Sequence, residues 1–107
     1  MAANERIEHL RSVLQQEPGN TFARYALGME YSSAGEVQAA VAEFRVLVEH
    51  NPDYANAYFM AAQALARAAG QTAEVKRWLE GGIAASRRSG NRHAESEMQQ
   101  MLEELQV

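Results

Sequence analysis

The side chains able to do chemistry in this 107-residue chain are few and scattered. Its three histidines, His9, His50 and His93, stand far apart and match no zinc-ligand spacing. His93 and Glu97 lie one helical turn apart and could share a metal, but an exposed i,i+4 pair is ordinary decoration of a helix surface. Asp53, the only aspartate, follows Pro52, where a carboxylate suits the start of a helix. Cysteine is absent, so neither thiolate chemistry nor disulfides contribute. There is no Gly-rich phosphate loop, no nucleophile elbow and no carboxylate pair inside an apolar run. These residues predict a protein that is not an enzyme, with no catalytic residue, no metal and no cofactor.

Charge narrows the partners. Ten lysines and arginines face 14 acidic residues, for a net charge of −4. The excess lies in residues 1–53, with four arginines against seven glutamates and one aspartate. Such a balance argues against nucleic acid and anionic membrane, both of which attract basic surfaces. One basic cluster, Lys76, Arg77, Arg87, Arg88 and Arg92, could take an acidic peptide or RNA. Arg87 and Arg88, however, fall in the last turn of an expected helix, where cations complement the helix dipole. The opening "MAANERIEHL" places Glu5, Arg6 and Glu8 where a signal peptide needs an apolar run. No stretch approaches the roughly 18 apolar residues of a membrane span. A single-domain cytoplasmic protein is expected.

The elements that position these residues follow from two prolines. Pro18 and Pro52 are 34 residues apart, a period typical of stacked helix pairs. Between them, Phe22, Tyr25, Ala26 and Met29 recur at helical spacing behind Asn20, a candidate N-cap. "SSAG" ends that helix, with Gly35 suited to a left-handed C-terminal position and Glu36 to the start of the next helix. Val37, Ala40, Val41, Phe44, Leu47 and Val48 then form an apolar stripe that stops before Pro52.

Residues 18–52 resemble a tetratricopeptide repeat. Leu27-Gly28, Tyr31, Ala40, Phe44 and Pro52 match its signature, and Arg24 stands where an aromatic is usual. A more degenerate copy over 53–89 carries Tyr58, Ala61-Ala62, Leu65, Val75, Leu79 and Gly82, with Asp53 as candidate N-cap and one extra residue in the turn before Gly70. Residues 4–17 look like half a repeat, with Ile7, Leu10, Val13 and Leu14 on one face. Residues 90–107 read as a capping helix, with Ala94, Met98, Met101, Leu102 and Leu105 inward and the polar face toward water. The resemblance implies an all-α superhelix of about six antiparallel helices, near 4–16, 21–34, 37–50, 54–69, 72–88 and 91–106. Gly81-Gly82 weakens the case for an unbroken fifth helix.

The same resemblance implies a non-catalytic protein-interaction module, whose concave groove binds a peptide or a partner's helix. The groove positions would be Phe22, Tyr25, Met29, Ser32 and Ser33, then Asn56, Phe59, Gln63, Ala66 and Arg67. The Lys, Asn and Arg clamp that some members use for terminal carboxylates is missing, since Tyr25, Met29 and Met60 stand at its first three positions. An apolar or amphipathic ligand suits such a surface. Phe22, Tyr25 and Phe59 are equally compatible with packing between helices. The alternative function is self-association into a homo-oligomer through the same surface.

Gly28 carries a sharp expectation. A mid-helix glycine costs roughly 1 kcal/mol against alanine, which close approach of the following helix near Ala40 would offset. Gly28→Leu should therefore lower the unfolding free energy by roughly 1–3 kcal/mol in urea titration, whereas an ordinary exposed helix glycine would gain from the change.

Overall fold

Six helices make up residues 2–105, the part of the chain that this computed structural model describes: α1 (Ala3–Gln16), α2 (Thr21–Ser33), α3 (Val37–His50), α4 (Ala55–Ala66), α5 (Thr72–Ser89) and α6 (Arg92–Leu105). No strand occurs among the described residues. The expected end of the last helix at 106 and the outer limits at 1 and 107 lie outside them.

Local chemistry explains most boundaries. The Asn20 side chain accepts a hydrogen bond from the Ala23 amide at 2.9 Å, capping α2. Asn91 does the same for α6 through the Ala94 amide at 3.0 Å. Gly35, Gly70 and Gly90 adopt φ of 79°, 80° and 72°, a left-handed conformation that lets the chain reverse after α2, α4 and α5.

Two expectations need correction, the end of the fourth helix and the Asp53 cap, while the fifth helix matches its expected span of 72–88 closely. The fourth helix stops at Ala66 rather than 69, because the extra residue before Gly70 is absorbed by unwinding the last turn, where the Ala68 amide reaches back to the Leu65 carbonyl at 2.9 Å. Asp53 does not cap α4, which begins after Tyr54 without a side-chain cap. Its carboxylate instead accepts from the Arg88 guanidinium at 2.6 Å, tying the α3–α4 turn to the end of α5. The fifth helix runs unbroken through Gly81-Gly82. A Cβ on Gly81 would stand 3.1 Å from the Tyr58 ring, and one on Gly82 would stand 2.7 Å from the Tyr58 Cβ and strike the Met98 sulfur. Both glycines make room for neighbouring helices.

Gly28 works the same way, though its partner is Phe44 rather than the surroundings of Ala40. A Cβ there would lie 2.6 Å from Phe44 Cε1 and 2.8 Å from Cζ. The Phe44 ring, fully buried, sits on bare backbone, and large side chain meets small as close helix packing demands. Around it Val41, Leu47, Leu65, Val75, Leu79 and Met98 form the main core. A second cluster of Ile7, Leu14, Ala23 and Leu27, with Leu10 and Val13 against it, seats α1 on α2. Arg24, the departure from the aromatic signature, joins α2 to α3 by pairing with Glu43 at 2.8 Å and donating to the Pro18 carbonyl at 3.0 Å.

Each helix packs on the next, and beyond these neighbours only α2 with α4 and α4 with α6 approach at the backbone level. The even helices therefore form a continuous inner layer. The odd helices stand apart outside it, with α3 and α5 bridged by Arg45, which reaches Glu74 at 3.2 Å and lies 5.5 Å from the Trp78 ring. This is an all-α superhelix of paired helices.

Gly28→Ala should destabilise by about 1–3 kcal/mol through overpacking, reversing the usual helix-propensity gain. In a double-mutant cycle with Phe44→Leu the penalty should shrink, because the smaller side chain vacates the contact. A stabilised single Gly28→Ala would show that the ring is not seated there.

Candidate functional site

The even helices bring a few of the expected groove residues together. Phe59, Gln63, Ala66 and Arg67 form the α4 wall of a cleft of about 580 Å³, and Glu97, Gln100, Met101 and Glu104 of α6 form the other. Phe59 is 9% exposed and makes the floor, anchored in the main core. Arg67 is exposed, and its guanidinium donates to the Ser32 Oγ on α2 at 2.6 Å. The volume falls within the roughly 300–1,000 Å³ common for ligand sites. Its groups are two carboxylates, two carboxamides and one guanidinium around an apolar floor. They equip the cleft for recognition by charge, hydrogen bonding and apolar contact.

The remaining expected positions lie outside that cleft. Phe22 is 79% exposed, the large hydrophobic side chain most open to solvent among the described residues. Asn56 and Ser33 are exposed, while Met29 is half-buried against the core. Tyr25 is also half-buried, its ring 6.0 Å from Phe44 and 5.5 Å from Tyr54. Burial pushes the Tyr25 phenol above its ordinary range, and the neighbouring Tyr54 adds to the effect.

The α6 wall was hidden from sequence reasoning, which assigned the polar face of that helix to water alone. A usable signal existed in the caps. Counting from Asn20 and from Asn91 gives the same pattern, Ala23 and Leu27 in α2 against Ala94 and Met98 in α6, all four buried. That register makes α6 a third inner helix, with Glu97, Gln100 and Glu104 at the positions of Ala26, Met29 and Ser33.

The other chemically suggestive residues do not converge. His93 Nε2 and Glu97 Oε1 are 3.3 Å apart on an exposed surface, and among the described residues no group of three metal-ligating side chains surrounds them. The basic cluster is dispersed: Arg87 pairs with Glu95 at 2.8 Å, Arg88 with Asp53, and Arg77 borders a separate hollow beside Arg45 and Trp78. Arg87 and Arg88 do occupy the last turn of α5. No helix among the described residues is long and apolar enough to cross a membrane.

Comparison with known proteins agrees with this architecture. No protein-family profile matches the chain. A TPR repeat-containing protein of Pseudomonas aeruginosa is 31% identical over 99 residues, which cover 92% of this chain and 93% of that one. A Bordetella parapertussis protein solved in solution superposes with a TM-score of 0.77 at 27% identity, covering 92% of this chain and 85% of its own. The tetratricopeptide repeat domain protein of Salinibacter ruber, also solved in solution, gives a TM-score of 0.75 at 29% identity, covering 83% and 89%.

The Tyr25 environment predicts a pH dependence. Because folding favours the neutral phenol, the unfolded chain releases this proton first, so stability is unaffected below the ordinary tyrosine range and falls as pH rises through and above it. Urea midpoints at about pH 8 and about pH 11 should show a smaller alkaline loss for Tyr25→Phe than for wild type. Equal losses would mean that Tyr25 titrates as in the unfolded chain.

Proposed function

The chain belongs to the tetratricopeptide repeat family, and on that premise we propose that it is a non-catalytic interaction module that holds a peptide or helix of a partner protein on its inner face. In this reading residues 18–52 and 53–89 are its two repeats, 4–17 a half repeat and 90–107 the closing helix of one domain. The partner is met in the cytoplasm.

The observation that carries the reading is the α4–α6 cleft. Its floor of Phe59, Ala66 and Met101 is rimmed by Gln63, Arg67, Glu97, Gln100 and Glu104. An apolar centre inside a polar ring is how a small interface concentrates its binding energy. The amphipathic helix in a groove is the matching recognition mode. Tyr25 and Met29 serve chiefly to hold that face in shape, while Phe22, Ser33 and Asn56 extend it toward α2.

A second reading, self-association, rests on Phe22, whose 79% exposure leaves a full aromatic face in water. It separates cleanly from the first. Light scattering should give one monomer mass over a wide concentration range; a mass that climbs with concentration and is restored by Phe22→Ser would favour self-association instead.

Ala66 is exposed at the end of α4 and lines the cleft, so a long side chain there would fill the binding face. Ala66→Arg should leave thermal unfolding within a few degrees of wild type and abolish capture of a partner from a lysate of the source organism. Capture that survives Ala66→Arg but is lost on Phe22→Ser would move the site to the α2 end.

A further inference from the structure

Among the described residues the acidic side chains fall into two sets, those that meet an arginine from another helix and those that, like the two glutamates of the cleft, do not. Glu30, Glu43, Glu74, Glu95 and Asp53 each meet an arginine from another helix, at 2.8, 2.8, 3.2, 2.8 and 2.6 Å. Glu97 and Glu104 do not. Glu97 touches His93 on its own helix, and Glu104 accepts from Gln100 at 3.4 Å. Among the described residues neither carboxylate pairs with a lysine or arginine. Both border the cleft, seven residues apart on one face of α6. Seven residues of helix rise about 10 Å.

The remaining charges favour a cation at the same wall. Arg67, the one cation lining the cleft among the described residues, donates from its guanidinium to Ser32 on α2. The C-terminal ends of α4 and α6, both negative dipole ends, lie at the Ala66 and Glu104 end of the cleft. The chain as a whole carries −4, which raises the local concentration of positively charged ligands.

We propose that the cleft takes a cationic amphipathic segment of a partner protein, with an apolar side chain on Phe59, Ala66 and Met101 and lysine or arginine side chains against Glu97 and Glu104. The segment presents two cations about 10 Å apart, a separation supplied by seven residues of helix or three of extended chain. The apolar contact supplies most of the affinity, and the carboxylates select the sign of the partner and speed its arrival. This inference rests on the cleft being the binding face.

A displayed library of random peptides of about 16 residues, selected on the full chain, tests both levels. Peptides enriched on wild type and lost on Ala66→Arg should carry lysine or arginine flanking a large apolar residue. They should bind the Glu97→Lys, Glu104→Lys double variant at least about tenfold more weakly, a difference near 1.4 kcal/mol, and should weaken as salt rises. Cleft-dependent peptides that are neutral or acidic, or that bind the charge-reversed variant equally well, would overturn the cationic assignment and leave the cleft in place. If no enriched peptide depends on Ala66, the cleft itself is not the binding face. A chain that dimerises through the cleft, with Ala66→Arg restoring the monomer, would show a second copy as the occupant and overturn the proposal.

Discussion

An aromatic ring lying on bare backbone sets the geometry of this molecule. Phe44 occupies the space that a Cβ of Gly28 would need, so α2 and α3 approach more closely than two ordinary helices. Gly81 and Gly82 repeat the arrangement beneath Tyr58 and Met98, drawing α4 and α6 onto α5. Where the backbone is bare, a neighbouring helix can come in at full side-chain depth, and the layers interlock. Larger residues at these points would force the helices apart and rotate every pair beyond them.

That interlocking also makes the cleft. Alanines line α4 on several sides, with Ala57, Ala61, Ala62 and Ala64 fully buried. Their small size lets α2 and α6 both rest near it while α3 and α5 pack on its other flanks. On the α6 side Gln100, Met101 and Glu104 line the cleft opposite Phe59, Gln63 and Ala66 of α4. Just past the end of α4 at Ala66, the Arg67 guanidinium donates to Ser32 on α2 while the side chain lines that end of the cleft.

Much of this architecture was written in local signals. The proline spacing, the left-handed glycines and the Asn20 cap place the first five helices to within about three residues, since each depends on neighbours within one or two turns. What was hidden depended on long-range pairing. Asp53 resembles a cap in sequence, but its partner Arg88 lies 35 residues away. Arg24 looked like a flaw in the signature until Glu43 stood beside it. The α6 wall escaped because that helix carries no signature residue, and its polar side chains read as solvent-facing whether they look outward or across a cleft. Gln99 holds the position of Gly28, so a long side chain stands in α6 where α2 offers bare backbone.

The central place of α4 has a consequence for motion. Its buried residues face α2, α3, α5 and α6, so the amides on its buried side are shielded by four neighbouring helices. α1 touches α2 alone and rests on a small cluster of its own. In a linear array, opening starts where an element has a single neighbour. On these contacts, hydrogen exchange is expected to be fastest in α1 and slowest at the buried backbone of α4 beneath the floor of the cleft.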